Sequence, residues 1–327
     1  MKAVCFTDYG RDSDVLSVKT IPKPFIAASD EVLIKVHAAS LNPVDKYRLA
    51  GAFPFLDKYK TNVFAYDISG VVEKVGDEAS KSFKVGDEVY ACIAGPGLNN
   101  DVKYGAVAEY YVCPMISMLG KKPSNLSFSQ AASIPMAGLT ALQALRKGGV
   151  KEGSKVFIPA GSGGVGSLAI QIAKKMLKAG HVCTTASPGI GTEICTKAGA
   201  DRIVNYRAED FGEVLQGEDF DMIFDIMNEI PKMRGLLKKG GKIISISGNA
   251  NAIAGIATSI AKEVDGTWQF LGMDPSGKDL NEIGTYMKSG EIVPFIDTEA
   301  ESLEDFKVAI DRLFSGRSKG KCVIKVA

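Results

Sequence analysis

The stretch KVFIPAGSGGVGSLAIQIAKK, residues 155–175, places four glycines within six residues between two apolar segments. The first segment, Val156 to Ile158, is short and wholly apolar, as in a strand of a parallel sheet that is buried on both faces. In the second segment apolar residues recur at helical spacing, which predicts a helix that begins near Gly164. The stretch therefore predicts a buried strand, a tight glycine turn and a helix.

The glycines in this turn fit a pattern that binds the pyrophosphate of a dinucleotide. Gly161, Gly163 and Gly166 have the spacing G-x-G-x-x-G. The first makes the tight turn, the second lets the backbone approach the pyrophosphate, and the third lets helix and strand pack closely. The N-terminus of the helix adds free N–H groups and a positive dipole. We expect the dinucleotide to contact Ser162, Gly163, Gly164 and Val165. A tight turn without a ligand is the alternative, because turns collect glycines.

The next strand-like segment, HVCTTAS at residues 181–187, bears on which dinucleotide binds. The usual partner of the glycine pattern is an acidic residue about twenty positions further on, which bonds the ribose 2′-hydroxyl. This chain has Ala186 and Ser187 at the end of the segment instead. No carboxylate there repels a 2′-phosphate, and a serine hydroxyl can bond one. The sequence therefore favours NADP(H) over NAD(H).

Length and composition indicate an ordinary globular protein. The 327 residues are enough for two domains, and the formal net charge is only +1. We therefore expect neither nucleic acid nor a membrane as partner. The six cysteines are scattered without a CxxC pair, and the N-terminal residues enter a strand pattern without a targeting segment. Both observations favour reduced thiols and a cytoplasmic location.

The pattern of predicted secondary structure differs between two parts of the chain. Up to about Pro123 it is rich in strand-like segments, and from Ser129 onwards strands and helices alternate. A single helix is predicted over 129–147, and a strand is predicted at VPFID, residues 293–297. The alternation predicts an α/β fold with a parallel sheet in the second part of the chain.

The sequence lacks the residues that two common kinds of enzyme site require, those of a nucleophilic hydrolase and those of a zinc site. The chain has only two histidines, both in strand-like segments, and no G-x-S-x-G motif for a nucleophilic serine. It also lacks the paired cysteines and the His/Cys clusters of zinc sites. Hydride transfer needs neither set of residues, since the nicotinamide carries the chemistry.

Seven segments share their order and spacing with one protein family. They are ASLNPVDKYRLAG (39–51), YDISGVVEKVG (66–76), FKVGDEVY (83–90), LTALQAL (139–145), GSGGVG (161–166), AGADRIVNYR (198–207) and GRSKGK (316–321). The chain resembles the medium-chain dehydrogenase/reductase family, and within it the zinc-free quinone oxidoreductases and enone (alkenal) reductases, including zeta-crystallin-like proteins. The resemblance implies a GroES-like β-barrel domain from residues 1–126 and 275–327, with a Rossmann domain inserted at residues 127–274.

The chain departs from the zinc-dependent relatives at their metal ligands. It has Asn42 where they place a ligand cysteine, and Tyr66 and Asp67 where they place a His-Glu pair. The four-cysteine structural lobe has no counterpart between Ala94 and Gly105. The resemblance therefore implies an enzyme without a metal.

The same resemblance implies contacts with the cofactor. The asparagine and aspartate of NPVD, here Asn42 and Asp45, are similar to residues that line the nicotinamide pocket. Thr140 is similar to a residue that faces the cofactor. Ser187 and Tyr206 are similar to residues around the adenosine phosphate.

One position near the adenosine phosphate departs from this pattern. Many relatives carry a lysine four residues after the serine, whereas this chain has Gly191. Arg317 or Lys319 is the expected replacement for its charge.

Aromatic residues are concentrated where related enzymes border their substrate. Phe53, Phe55, Tyr59, Phe64 and Tyr66 fall within fourteen residues. We expect Phe53, Phe55, Tyr59 and Tyr66 to lie against a planar substrate, and packing within the loop is the alternative.

Two residues are expected to act on the substrate's carbonyl group. Asn42 and Tyr47 would donate hydrogen bonds to its oxygen. For Tyr47 the alternative is a half-buried residue of the barrel.

The predicted function is an NADPH-dependent reductase of quinones or of the C=C bond of enones and enals. It acts on small molecules, without metal, as a monomer or homodimer. A cofactor-holding protein with an RNA-binding or structural role is the alternative, although the balanced charge argues against RNA.

Overall fold

The computed structural model describes residues 1–54, 57, 61–94, 105–114, 116–246 and 250–327. The strands are β1 Lys2–Phe6, β2 Ser17–Thr20, β3 Val32–Leu41, β4 Asn62–Val63, β5 Asp67–Val75, β6 Glu88–Cys92, β7 Tyr110–Cys113, β8 Gly120–Lys121, β9 Lys155–Ile158, β10 His181–Ala186, β11 Arg202–Asn205, β12 Phe220–Asp225, β13 Leu237–Ser245, β14 Thr267–Phe270, β15 Ile296–Ala300 and β16 Lys321–Lys325. The α-helices are α1 Pro43–Leu49, α2 Phe128–Ala132, α3 Pro135–Lys147, α4 Gly164–Gln171, α5 Ile190–Ala198, α6 Phe211–Val214, α7 Ala250–Lys262, α8 Gly277–Lys288 and α9 Phe306–Phe314.

The chain forms two compact units. The first comprises Met1–Leu139, Asp274–Lys288 and Ile296–Ala327, and the second comprises Thr140–Met273 and Ser289–Phe295. Within the described residues, no helix combines the length and the apolar character that a bilayer crossing requires.

The first unit is built on a mostly antiparallel seven-stranded sheet in the order β15-β16-β3-β5-β6-β8, with β7 also paired to β3. A three-stranded sheet in the order β2-β1-β4 completes it. In the larger sheet Ser40 lies opposite Asp67, and Leu41 lies opposite Cys322. Three segments far apart in sequence therefore meet where β3 ends and β5 and β16 begin.

The second unit is a six-stranded parallel sheet in the order β11-β10-β9-β12-β13-β14. Counted within the unit, this order is 3-2-1-4-5-6, the doubly wound Rossmann arrangement. The direction of strand order reverses between β9 and β12, and ligands bind at the carboxyl ends of the strands at such a reversal. The predicted Rossmann fold is confirmed, and the glycine turn lies at this reversal.

The predicted strand and helix around the glycine turn are also confirmed, as β9 and α4. The single helix predicted over 129–147 is wrong, because the chain forms α2 and α3 with a break at Ser133 and Ile134. Pro135 explains the break, since the residue before a proline is disfavoured in the helical region. The strand predicted at 293–297 begins later, at Ile296.

The turn itself depends on close backbone contact at Gly166. A Cβ atom there would lie 2.3 Å from the carbonyl oxygen of Ala160 and 2.9 Å from the Cα of Gly161. These backbone atoms can move apart only if α4 moves away from the turn.

We therefore expect Gly166→Ala to lower the free energy of unfolding by about 1–3 kcal/mol. Gly255→Ala is the control, because Gly255 is an exposed helical residue whose added Cβ would meet nothing within 4 Å. That control should raise stability by about 0.5–1 kcal/mol, since alanine favours helix. Urea unfolding of the three proteins measures both changes, and a fully stable Gly166→Ala would contradict the packing argument.

Candidate functional site

Six of the predicted site residues lie in two places. Ser162, Gly163, Gly164 and Val165 are at the glycine turn of the Rossmann unit, and Asn42 and Asp45 are in a buried polar cluster of the barrel unit.

Among the three glycines of the G-x-G-x-x-G pattern, Gly163 is the one that packing constrains least. Gly163 precedes α4 with φ −80° and ψ 175°, a conformation open to any residue. A Cβ there would meet only the Ala160 carbonyl oxygen, at 3.3 Å. At Gly161, by contrast, the nearest atom is the Thr184 hydroxyl oxygen, at 2.1 Å. The absence of a side chain at Gly163 suits a ligand that approaches the backbone, as the pyrophosphate of a dinucleotide does.

Hydrogen bonds join the glycine turn to the neighbouring strand β10. The N–H of Gly161 donates to the carbonyl of Thr185 at 3.0 Å, and the N–H of Ala160 donates to the hydroxyl of Thr185 at 2.9 Å. These bonds hold the turn at the carboxyl ends of β9 and β10, where the parallel sheet binds ligands.

The predicted adenosine residues lie at the same edge of the sheet. Ser187 directly follows β10 and is buried. Because Ala186 pairs with Asn205, Tyr206 leaves β11 beside it, and its side chain is half-exposed. Gly191 lies in the first turn of α5.

The remaining predicted cofactor residues lie elsewhere in the chain. Thr140 is a buried residue of α3. Arg317 is exposed between α9 and β16 in the first unit.

Four polar side chains form the buried cluster of the barrel unit. Counted as whole residues, Asn42, Asp45, Asp67 and Lys321 are each at most 5% exposed. Asn42 lies between the end of β3 and the start of α1, and its backbone N–H donates to Asp45 Oδ2 at 2.6 Å. Asp67 begins β5 and Lys321 begins β16. Strand register therefore brings the cluster together.

The side chain of Asn42 links the charged members of the cluster. Its Nδ2 donates to Asp67 Oδ2 at 2.8 Å, and its Oδ1 accepts from the ammonium of Lys321. The same ammonium donates to the carbonyl of Leu41 at 2.9 Å and lies 3.6 Å from Asp67 Oδ2. The backbone N–H of Met136 donates to Asp67 Oδ1 at 2.9 Å. An ammonium only donates and a carboxylate only accepts, so the chemistry fixes which way the amide points.

Burial sets the electrostatics of the two carboxylates. Desolvation, with a further contribution from the charge of Asp67, raises the pKa of Asp45 to about 7. The hydrogen bond from the backbone N–H of Asn42 and the charges of Lys321 and Arg48 oppose this shift. Desolvation also raises the pKa of Asp67, although Lys321 and its hydrogen bonds favour the charged form. Asp45 Oδ1 has no hydrogen-bond partner within the described residues. Asp45 therefore binds a proton near neutral pH, whereas Asp67 has a cation beside it.

Tyr66 is buried beside this cluster. Its hydroxyl has no hydrogen-bond partner in the described part of the chain, and the Arg48 guanidinium lies 5.2 Å from the ring centre. Burial raises the pKa of Tyr66 above its usual range. Arg48 itself pairs with Asp57, with Nη2 and Oδ1 2.6 Å apart.

Two of the other predicted aromatic residues, Phe53 and Phe64, lie within the described part of the chain. Phe64 is fully buried in the apolar core of the barrel, and Phe53 is partly exposed. Phe55 and Tyr59 lie outside the described residues. Tyr47, for which the alternative was a half-buried barrel residue, lies on α1 of the first unit and is 58% exposed.

The barrel cluster does not fit a metal. Among the described residues, no group of three or more His, Cys, Asp or Glu side chains could hold an ion. Asn42 and Asp67 are instead hydrogen-bonded to each other, with the ammonium of Lys321 beside them. Sequence reasoning missed Lys321, whose only signal was its place in the closing segment GRSKGK.

Comparisons with known proteins agree with both units. Residues 28–124 match the alcohol dehydrogenase GroES-like domain, which confirms the predicted barrel, and residues 198–324 match the family described as zinc-binding dehydrogenase. The 2-methylene-furan-3-one reductase of Solanum lycopersicum is 35% identical over 99% of this chain and 79% of its own. The NADPH-dependent alkenal/one oxidoreductase of Arabidopsis thaliana is 35% identical over 91% of this chain and 72% of its own. The solved quinone oxidoreductase of Coxiella burnetii is 32% identical, with a TM-score of 0.87 over 100% of this chain and 99% of its own.

The raised pKa of Asp45 predicts a stability that depends on pH. Its ordinary value is 3.8, so between about pH 4 and 7 the folded protein binds more protons than the unfolded chain. Stability therefore falls as pH rises through this window. The charged groups that influence Asp45 are Asp67, Lys321 and Arg48.

Asp45→Asn removes this titration and keeps an oxygen that can accept from the backbone of Asn42. We expect the variant to gain stability relative to the wild type by about 2 kcal/mol between pH 5 and pH 8. Urea unfolding at several pH values measures the difference. A difference that is the same at every pH would contradict the burial argument.

Proposed function

The chain belongs to the medium-chain dehydrogenase/reductase family, and from this we propose that it reduces the C=C bond of α,β-unsaturated carbonyl compounds with NADPH. Its relatives make it an oxidoreductase. The proposal of C=C reduction rests on one observation. The chain is 35% identical, over 99% of its length, to a protein named 2-methylene-furan-3-one reductase. Quinones are the second substrate class, because a 32% identical structure is a quinone oxidoreductase.

The glycine turn supports the cofactor part of this proposal. Gly163 bears no side chain that would cover the backbone of the turn, and the residue that directly follows β10 is Ser187 rather than a carboxylate that would repel a 2′-phosphate. A relative that is 35% identical is named NADPH-dependent. Ser162, Gly163, Gly164 and Val165 would hold the pyrophosphate, and Ser187 and Tyr206 the adenosine phosphate.

A cation is still needed for the 2′-phosphate, because Gly191 replaces the lysine of many relatives. Arg207 directly follows Tyr206 at the carboxyl end of β11 and is exposed. It joins Arg317 and Lys319 as a candidate for this role.

The barrel cluster supports the substrate part of the proposal. Bound NADPH supplies a hydride, which we propose is delivered to the substrate's β-carbon. The chain's contribution is then to meet negative charge on the carbonyl oxygen with hydrogen-bond donors, for which Asn42 and Tyr47 are the candidates. Asp45 and Thr140 would contact the nicotinamide part of the cofactor. The aromatic residues Phe53, Phe55, Tyr59 and Tyr66 would contact the substrate.

A metal is not part of the proposal, because two of the residues at the family's ligand positions, Asn42 and Asp67, are hydrogen-bonded to each other with the ammonium of Lys321 beside them. Neutral donors suit a conjugated acceptor, whose charge spreads into an enolate. A saturated aldehyde concentrates that charge on one oxygen and profits more from a Lewis acid.

The proposed location is the cytoplasm. All six cysteines are buried and outside any disulfide, as in a reducing compartment. The proposal takes the protein as a monomer or homodimer that acts on small molecules.

Substrate class is tested by assaying simple enones, enals, quinones and saturated aldehydes with NADPH and with NADH. We expect oxidation of NADPH with the conjugated acceptors and none with saturated aldehydes. Prior treatment with a strong chelator should leave the rates unchanged. Absence of turnover with every acceptor would contradict a catalytic role and favour a cofactor-holding protein.

Cofactor choice is tested with Ser187→Asp. A carboxylate repels the 2′-phosphate and accepts the ribose hydroxyls, so the variant should lose or reverse a preference for NADPH, by about tenfold or more in relative affinity. Fluorescence titration with both dinucleotides gives the affinities, and Ser187→Ala is the uncharged control. Equal affinity of the wild type for NADPH and NADH would contradict the proposal.

A further inference from the structure

Lys321 is a buried cation that has no role in the reaction as proposed above. Its side chain is only 6% exposed at the start of β16, and a buried ammonium is costly unless it is paired and hydrogen-bonded. Its Nζ donates to the carbonyl of Leu41 and to Asn42 Oδ1, and the carboxylate of Asp67 lies 3.6 Å away. These partners all lie at the junction of β3, β5 and β16.

The amide of Asn42 lies between this cation and this anion. Its oxygen faces Lys321 and its nitrogen faces Asp67, at 2.8 Å. A flipped amide would set its NH₂ against the ammonium and its oxygen against the carboxylate, so both contacts would become repulsive. Only one orientation of Asn42 is therefore compatible with the two charges.

The same arrangement strengthens the amide as a hydrogen-bond donor. A cation at the oxygen and an anion at the nitrogen polarise the amide along its own dipole, and neighbouring hydrogen bonds reinforce one another in a buried network. Asp67 takes one of the two hydrogens on Nδ2. The second hydrogen is left for another acceptor.

We propose that Lys321 is a positioning residue that acts through Asn42: it fixes the orientation of the amide and thereby aims and strengthens the second Nδ2 hydrogen. This inference rests on the proposed function, in which Asn42 contacts the nicotinamide or the substrate oxygen. A merely structural role of Lys321, as the counterion of Asp67, is the competing explanation.

A double-mutant cycle separates the two explanations. Lys321→Met removes the charge with little change in length, and Asn42→Ala removes the group through which it would act. We expect Lys321→Met to lower kcat by about 10–100-fold in the wild type and by less than about twofold in Asn42→Ala. The KM for NADPH should stay within about threefold, because the glycine turn is untouched.

Lys325→Met is the matched control, because Lys325 lies on the same strand with its side chain 40% exposed and its ammonium paired with Glu301. Its kcat should match that of the wild type. An unchanged kcat in Lys321→Met, or an equal fold-loss in both backgrounds, would overturn the inference.

If Lys321→Met does not fold, the experiment uses the double variant Asp67→Asn with Lys321→Met, which removes both buried charges together. In that background Asn42→Ala should cost less than about twofold in kcat. A loss as large as in the wild-type background would overturn the inference.

An NMR measurement that does not depend on catalytic activity tests the role of Lys321 separately from the proposed function. In protein labelled with ¹⁵N-asparagine, the side-chain NH₂ signals of Asn42 are identified by their disappearance in Asn42→Ala. Lys321→Met should shift these signals, whereas Lys325→Met should not. A wild type without NADPH-dependent reduction would contradict the proposed function alone, and unshifted Asn42 signals in Lys321→Met would overturn the role of Lys321.

Discussion

The burial of Asp67 together with Lys321 is the constraint on which the barrel unit depends. A lone carboxylate in an apolar interior costs several kcal/mol, and its removal from water is offset only by well-placed partners. Here the partners come from three places, namely the ammonium of Lys321, the amide of Asn42 and the backbone N–H of Met136. A slip of one residue in β3, β5 or β16 would turn one member to the opposite face of the sheet. The ion pair therefore fixes the register of all three strands.

The candidate site of the Rossmann unit differs from the barrel cluster, because it depends on glycines, which have no side chains, rather than on buried polar side chains. Gly161 and Gly166 are required by contacts with their own neighbours, whereas at Gly163 a Cβ would meet only one carbonyl oxygen. Of the three glycines of the G-x-G-x-x-G pattern, two thus serve the fold, and Gly163 leaves backbone accessible to a ligand. The parallel sheet then places this exposed backbone where its strand order reverses.

This difference explains how much of the molecule could be predicted. The strand, turn and helix around Gly163 follow from adjacent residues, so the sequence alone predicted them correctly. The break before Pro135 was also a local signal, but the apolar spacing on both sides of it suggested one helix. Lys321 could not be found this way, because its meeting with Asn42 depends on pairing between segments 279 residues apart. A lysine in a strand is usually a solvated residue, and only the register shows that this one is buried.

The position of the transferred hydride tests the proposed reaction most directly. NADPH deuterated at C4 on the transferred face is incubated with the protein and a simple enone, and the product is analysed by NMR and mass spectrometry. The proposed donors, the Asn42 amide and the Tyr47 hydroxyl acting without a metal, predict a saturated ketone that carries deuterium on the carbon β to the carbonyl. Deuterium on the carbinol carbon of an allylic alcohol would contradict this account.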